Sequence, residues 1–219
     1  MKIKFLGTAS SEGMPGIFCD CENCRTARKL GGRNIRSRSQ SLINGNTLID
    51  FPQDTFHHLV TNNIDMMDIN HCIITHAHGD HFFPDELAAA SVACMHPRKD
   101  WHFELYGSED ISVVEPYTKR GGGRFSYNKV LPFEPFTVGA LTVTALKAVH
   151  GTDNPYIYLI TDGEKTLFYA LDSDYYPEET WEYIAKTKPC IDMVVFDCAE
   201  GNTPVMDYVG HGCMNTNDD

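Results

Sequence analysis

The sequence predicts one sheet-rich α/β domain built in layers, and three observations carry that prediction. Strand-like runs outnumber helical ones and come in clusters joined by tight turns. Helical stretches lie between the clusters. Of the 219 residues 42% are hydrophobic, enough to fill a single sizeable core. A doubly wound parallel sheet would alternate strand and helix more strictly.

The elements follow in chain order. Residues 2–6 alternate apolar and polar side chains, the period of a strand. Residues 40–44 and 47–50 read as a hairpin, because Asn44-Gly45 tolerates the positive φ angles of a tight turn. Period-two or β-branched runs bounded by Gly, Asn or Pro predict strands near 71–75, 102–106, 126–131, 136–149, 156–161, 166–170 and 191–196. Helices are expected near 53–62, 84–95, 109–118 and 177–187, several opened by Pro, Asp or Ser. With no repeat, low-complexity tract or Pro/Ser-rich linker, residues 1–219 read as one domain. Residues 215–219 carry the cap and first-turn acids of a helix whose body never follows. The expectation is therefore a natural chain that continues past Asp219.

Composition removes several classes of function. The longest apolar runs, such as 87–90 and 193–196, fall far short of the ~20 residues of a membrane span, so no membrane partner is expected. The amino terminus enters a strand without the apolar core of a secretory signal, which predicts a cytoplasmic protein. There the eight cysteines read as thiols or metal ligands. A formal charge of −12 disfavours nucleic acid as a partner. Residues 25–38 oppose that trend, with Arg25, Arg28, Lys29, Arg33, Arg36 and Arg38 and no acid, so an anion should be received there. Arg36 and Arg38 are the candidate substrate-binding residues, and a solvated basic loop is the competing reading. The pattern leaves a homodimer open.

The chemistry concentrates after the run Ile73-Ile74-Thr75. His76, His78, Asp80 and His81 place four potential ligands in six residues. Alternation along an extended segment turns His76 and His78 the same way, toward one ion, with Asp80 and His81 just beyond, within reach of a second. Nitrogen and carboxylate donors suit Zn, Mn or Fe. His150 and Asp172 each end a strand-like run and join the candidates for a two-ion site. Cys19, Cys21 and Cys24 have Cys-x-Cys-x-x-Cys spacing, which can set three thiolates around one structural zinc with a fourth ligand from elsewhere. That zinc would staple a loop at 19–24.

His-Ala-His-Gly-Asp-His after an Ile-Ile-Thr strand, together with Leu48-Ile49-Asp50, His150 and Asp172, resembles the metallo-β-lactamase superfamily of hydrolases. The resemblance runs from residue 1 to about residue 214. It implies an αβ/βα four-layer sandwich lacking its carboxyl-terminal elements, with two divalent ions at one edge. His76, His78 and His150 would hold one ion, Asp80 and His81 the other, with Asp172 bridging and Asp50 bracing the metal loop. Gly7-Thr8-Ala9-Ser10, the cysteine cluster and residues 36–41 are most similar to the phosphoribosyl cyclic phosphodiesterase branch, itself similar to tRNA 3′-processing endonucleases. The histidine that completes the thiolate zinc in that branch, and the last ligand to its second ion, have no match in these 219 residues.

His211, in Gly210-His211-Gly212, resembles a family histidine beside the scissile phosphate and is the candidate general acid, with Asp80 the other catalytic candidate. The expected activity is hydrolysis of a small cyclic or nucleotide-like phosphodiester by a hydroxide held on the paired ions. The alternatives are a tRNA 3′-processing type of endoribonuclease and a non-catalytic zinc-binding protein.

Overall fold

The structure, a computed structural model, describes residues 1–91, 95–120 and 123–198. Two sheets face each other. The first holds β1 (Ile3–Gly7), β2 (Gln40–Ile43), β3 (Thr47–Ile49), β4 (His71–Ile73), β5 (Phe103–Gly107) and β6 (Phe125–Lys129), in that spatial order. Pairing is antiparallel from β1 to β3 and parallel from β3 to β6. The second holds β7 (Pro135–Val138), β8 (Leu141–Lys147), β9 (Tyr156–Thr161), β10 (Thr166–Ala170) and β11 (Met193–Phe196). It is antiparallel except where β11 joins β10 in parallel. The helices are α1 (Glu22–Leu30), α2 (Thr55–Thr61), α3 (Glu115–Arg120) and α4 (Glu178–Thr187).

Side-chain alternation builds the layers. Ile43, Ile49, Ile73 and Tyr106 point from the first sheet onto Val143, Tyr158, Ile160 and Tyr169 of the second. Their neighbours Leu42, Leu48, Cys72 and Leu105 point the other way, against Leu59 of α2 and against Leu87, Ile111 and Val114 of two 3-10 segments. On the far face of the second sheet Ile157, Leu159 and Phe168 meet Tyr183 and Ile184 of α4. Each fully buried Ile or Leu contributes roughly 1.5–3 kcal/mol, so a one-residue slip of any central strand would turn that contribution to the wrong face. The result is helix, sheet, sheet, helix, the four-layer α/β class that the sequence predicts. No helix among the described residues is long and apolar enough to cross a membrane.

Three elements depart from the sequence reading. The run 136–149 is two strands, because Gly139 at φ 57° reverses the chain into the β7–β8 hairpin. The segment expected as a helix from 84 is a 3-10 helix over Pro84–Ser91. The basic stretch holds α1, started by the Cys21 cap and ended at Gly31, with Cys24 and Ala27 as its buried face. Residues 215–219 and Gly121-Gly122 lie outside the described residues.

Candidate metal centre

The ligand-type residues sit where strands of both sheets end. β3 leads into Asp50, β4 into the loop carrying His76 to His81, β8 into His150 and β10 into Asp172. Cross-sheet bonds fix the ends in place: Tyr158 Oη donates to the Ile74 carbonyl at 2.7 Å, and the Tyr156 N–H to that of Thr75 at 2.9 Å. The Asp174 N–H reaches the Val149 carbonyl at 2.8 Å, holding the exits of β8 and β10 together.

Strand alternation is not what aligns His76 and His78. β4 ends at Ile73, because beyond it the Thr75 N–H turns to the Asp50 carboxylate at 2.8 Å instead of a neighbouring strand. The loop itself brings the rings together. His76 Nε2 lies 3.2 Å from His78 Nδ1, which lies 3.1 Å from His150 Nε2. His76 Nδ1 faces Thr75 Oγ1 at 3.0 Å, so a proton there leaves the Nε2 lone pair aimed at the other two rings. Burial holds His76 well below the usual imidazole pKa and favours that neutral form. Three imidazole nitrogens converging this closely fit the donor set of a divalent cation.

A second group combines His76, His81 and Asp172, with ligand atoms within 4.8 Å of one another. His81 Nε2 pairs with the Asp172 carboxylate and lies 3.6 Å from Asp80 Oδ2. Its Nδ1 donates to Asp50 Oδ2 at 2.7 Å. Burial opposes charge on His81, but the Asp50 and Asp172 carboxylates outweigh it and hold its pKa well above the usual range. Burial likewise raises Asp172, yet the hydrogen bond and charge of His81 prevail and hold it low. At fully buried Asp50, desolvation wins over His81 and the carboxyl is pushed up. Asp50 and Asp172 both adopt left-handed backbone, at φ 66° and 51°. Such conformations persist only where the surroundings impose them, and here they fall on two carboxylates of the same centre.

Cys19, Cys21 and Cys24 also converge within 4.8 Å. Cys21 Sγ accepts the Cys24 N–H at 3.5 Å, and Cys24 Sγ accepts that of Gly16 at 3.3 Å. The Cys24 N–H is the main cause that lowers the Cys21 thiol to about 7, close to the thiolate a zinc requires. Among the described residues no fourth His, Cys, Asp or Glu joins this group. Of the other described cysteines, Cys72 is buried and Cys190 and Cys198 are exposed.

The basic stretch divides. Arg25 pairs with Asp20, and Arg28 donates to the Gly16 and Cys19 carbonyls at 3.0 and 2.8 Å. The Arg38 guanidinium pairs with Asp54 at 3.3 Å, and Arg38 is not among the residues that line the neighbouring cleft. Arg36 does line that cleft, about 630 Å³ in volume, together with Thr8, Ser10, Asn23 and Asn34, and Asp172 connects the cleft to the metal centre. His211 lies outside the described residues. Sequence reasoning missed Thr75, whose only signal was a hydroxyl residue between the strand and the first histidine.

The family model for the beta-lactamase superfamily domain matches residues 45–218. A ribonuclease BN from Cronobacter sakazakii is 31% identical over 173 residues, 75% of this chain and 51% of that protein. An octanoyltransferase from Porphyromonas gingivalis is 28% identical over 69% of this chain and 31% of that protein. The chain thus spans about half or less of the length of these curated relatives. Two solved structures share the fold at 20% identity, each covering 90% of this chain and 72% of its own: a diphosphatase of the PhnP family with TM-score 0.68, and zinc-bound PqqB from Methylobacterium extorquens with TM-score 0.69.

Proposed function

We propose, since the chain belongs to the metallo-β-lactamase superfamily, that it is a metal-dependent phosphodiesterase acting on a small cyclic or nucleotide-like phosphodiester. The observation that carries this reading is the convergence of His76, His78 and His150, with His81 and Asp172 beside them, at the edge of a cleft that holds Arg36. His76, His78 and His150 would hold one divalent ion, Asp80 and His81 a second, with Asp172 shared. Zn, Mn and Fe suit these donors, and the three cysteines would hold a structural zinc. Bound there, the ions supply Lewis acidity and bring the pKa of a water near neutrality.

The chain's own residues do the rest. Asp50 accepts the His81 Nδ1 proton, which keeps Nε2 free to ligate. Arg36 would pair with the non-bridging phosphoryl oxygens through charge-assisted hydrogen bonds. His211 would deliver a proton to the leaving sugar oxygen, worth ~10² to 10⁴ in rate. Action in the cytoplasm, as a monomer or homodimer, is part of this proposal.

Inductively coupled plasma mass spectrometry paired with turnover of bis(p-nitrophenyl) phosphate tests it. Three metals per chain with turnover support the enzyme; one thiolate-bound zinc without turnover refutes it in favour of a non-catalytic zinc protein. His76→Ala should lose both metal and hydrolysis. His211→Ala should keep its metal and turn over slowly, and metal loss there would refute its role as general acid. Cleavage of RNA is the second reading, favoured by the 31% identity to a ribonuclease. The net charge of −12 weighs against it, as does the engagement of Arg25, Arg28 and Arg38 in local contacts. Faster cleavage of a structured RNA than of small phosphodiesters would reverse the order.

A further inference from the structure

We infer that Ser37, His58 and Gln40 form a buried relay that positions the Arg36 guanidinium for a phosphoryl group and ties it to the metal loop. The inference rests on the phosphodiesterase reading above. Ser37 Oγ lies 2.6 Å from His58 Nε2, and His58 Nδ1 lies 2.6 Å from Gln40 Oε1. Gln40 Nε2 donates to the Asp50 carbonyl at 2.9 Å and to Thr55 Oγ1 at 3.0 Å. These bonds leave one consistent proton arrangement. The Gln40 amide spends its protons on Asp50 and Thr55, so its oxygen accepts the His58 Nδ1 proton, and His58 Nε2 then accepts the Ser37 hydroxyl.

The relay is enclosed at His58 and Gln40, and Ser37 is half-buried. Gln40 is fully buried and His58 is 1% exposed. A Cβ on Gly7 would stand 1.9 Å from the Arg38 carbonyl oxygen and 2.9 Å from His58 Cε1, so only glycine lets the end of β1 pass this close.

Around the relay the backbone of residues 36–38 is held from both sides. Arg36 and Met14 exchange both backbone hydrogen bonds, at 2.7 and 2.9 Å. The Ser37 carbonyl accepts the N–H groups of Thr8 and Ala9 at 3.0 and 2.8 Å, and the Arg38 N–H bonds to Asp54 at 2.8 Å. With its backbone fixed, the Arg36 side chain lines the cleft, and its guanidinium has no carboxylate partner among the described residues. The opposite end of the relay is Asp50, whose carboxylate holds Thr75 and His81. The backbone that carries Arg36 and the ligand loop are therefore joined through one hydrogen-bond network. His58 acts through Ser37 and Arg36, without contact to substrate, and is a positioning residue.

Inorganic phosphate is the probe. Metal-loaded wild type, R36A, S37A, S37T, H58Q and the R36A/S37A double variant are titrated with phosphate by calorimetry, beside metal content and KM and kcat for bis(p-nitrophenyl) phosphate. S37A and H58Q should weaken phosphate binding and raise KM by about 10-fold, within the range for residues coupled in one network. Metal content and kcat should hold within about twofold, S37T should restore affinity, and the double variant should bind no more weakly than R36A. Unchanged phosphate affinity in S37A and H58Q, losses that add to R36A, or loss of metal with unaltered KM would each overturn the relay. If wild type does not bind phosphate, or R36A binds it equally well, the phosphodiesterase reading itself fails. Where S37A does not fold, S37C keeps the volume, weakens the bond and replaces it in every comparison.

Discussion

Asp50→Asn isolates what a buried carboxylate contributes to the metal loop. Asp50 accepts three hydrogen bonds there, from the Thr75 N–H at 2.8 Å, Thr75 Oγ1 at 2.9 Å and His81 Nδ1 at 2.7 Å. Asparagine fills the same volume and tolerates φ 66°, so the backbone should stay in place. Its amide oxygen can serve Thr75, but its NH₂ then faces the His81 Nδ1 proton, donor against donor. In the neutral form that would bind an ion, His81 escapes by holding its one proton on Nε2, the atom aimed at Asp172, and so loses the lone pair that would ligate. Affinity at the His81 site should fall about 10- to 100-fold, equivalent to about 1.4–2.7 kcal/mol. Chelator competition followed by metal analysis measures this, with circular dichroism to confirm the fold. The site of His76, His78 and His150 should lose less. An unchanged chelator midpoint for both ions would falsify the tautomer argument.

Other perturbations separate the remaining devices. Cys24→Ser should remove one zinc per chain and leave the metal of the histidine site, read as stoichiometry; loss of both would mean that the two centres are not independent. Burial lowers His58 to about 4, whereas in the unfolded chain it titrates near its ordinary value. The unfolded chain therefore takes up a proton that the fold resists. This contribution to stability is complete above about pH 6.5 and is lost as pH falls toward 4, by roughly 1.4 kcal/mol per pH unit. His58→Gln should flatten that limb in denaturant titrations at pH 7, 6 and 5, and parallel curves for the two proteins would exclude His58 as its source. Gly7→Ala should cost at least about 2 kcal/mol, since the new methyl meets backbone rather than a pliable side chain; a melting temperature unchanged from wild type would show that β1 shifts freely.

The strands were legible as short apolar or β-branched runs bounded by turn residues, and 156–161 is such a run, nearly all apolar and buried on both faces. Their boundaries were less so. Within 136–149 the lone Gly139 was the one mark of the reversal, and it reads equally as a bulge in a continuous strand; α1 was hidden because its buried face is only Cys24 and Ala27 amid charge. In the metal centre, the density of ligand types within six residues made the loop plain from sequence. His150 and Asp172 carried no local signal beyond standing at strand ends, and only the cross-sheet pairing brings them near. Arg36 and Arg38 looked equivalent in sequence. Asp54, distant in the chain, is what separates them. His58 carries no local signal in the sequence, since its partners Ser37 and Gln40 precede it by 21 and 18 positions.

The division of the chain between its two sheets imposes an order of assembly. Asp50, His76, His78 and His81 come from the first sheet, complete by Lys129, whereas His150 and Asp172 come from the second. A nascent chain at that midpoint would present only His76, His78, Asp80 and His81 of the proposed ligands. Docking of the second sheet would then complete the proposed centre, and a cation bound there would latch the seam late, by mass action, only after both halves exist.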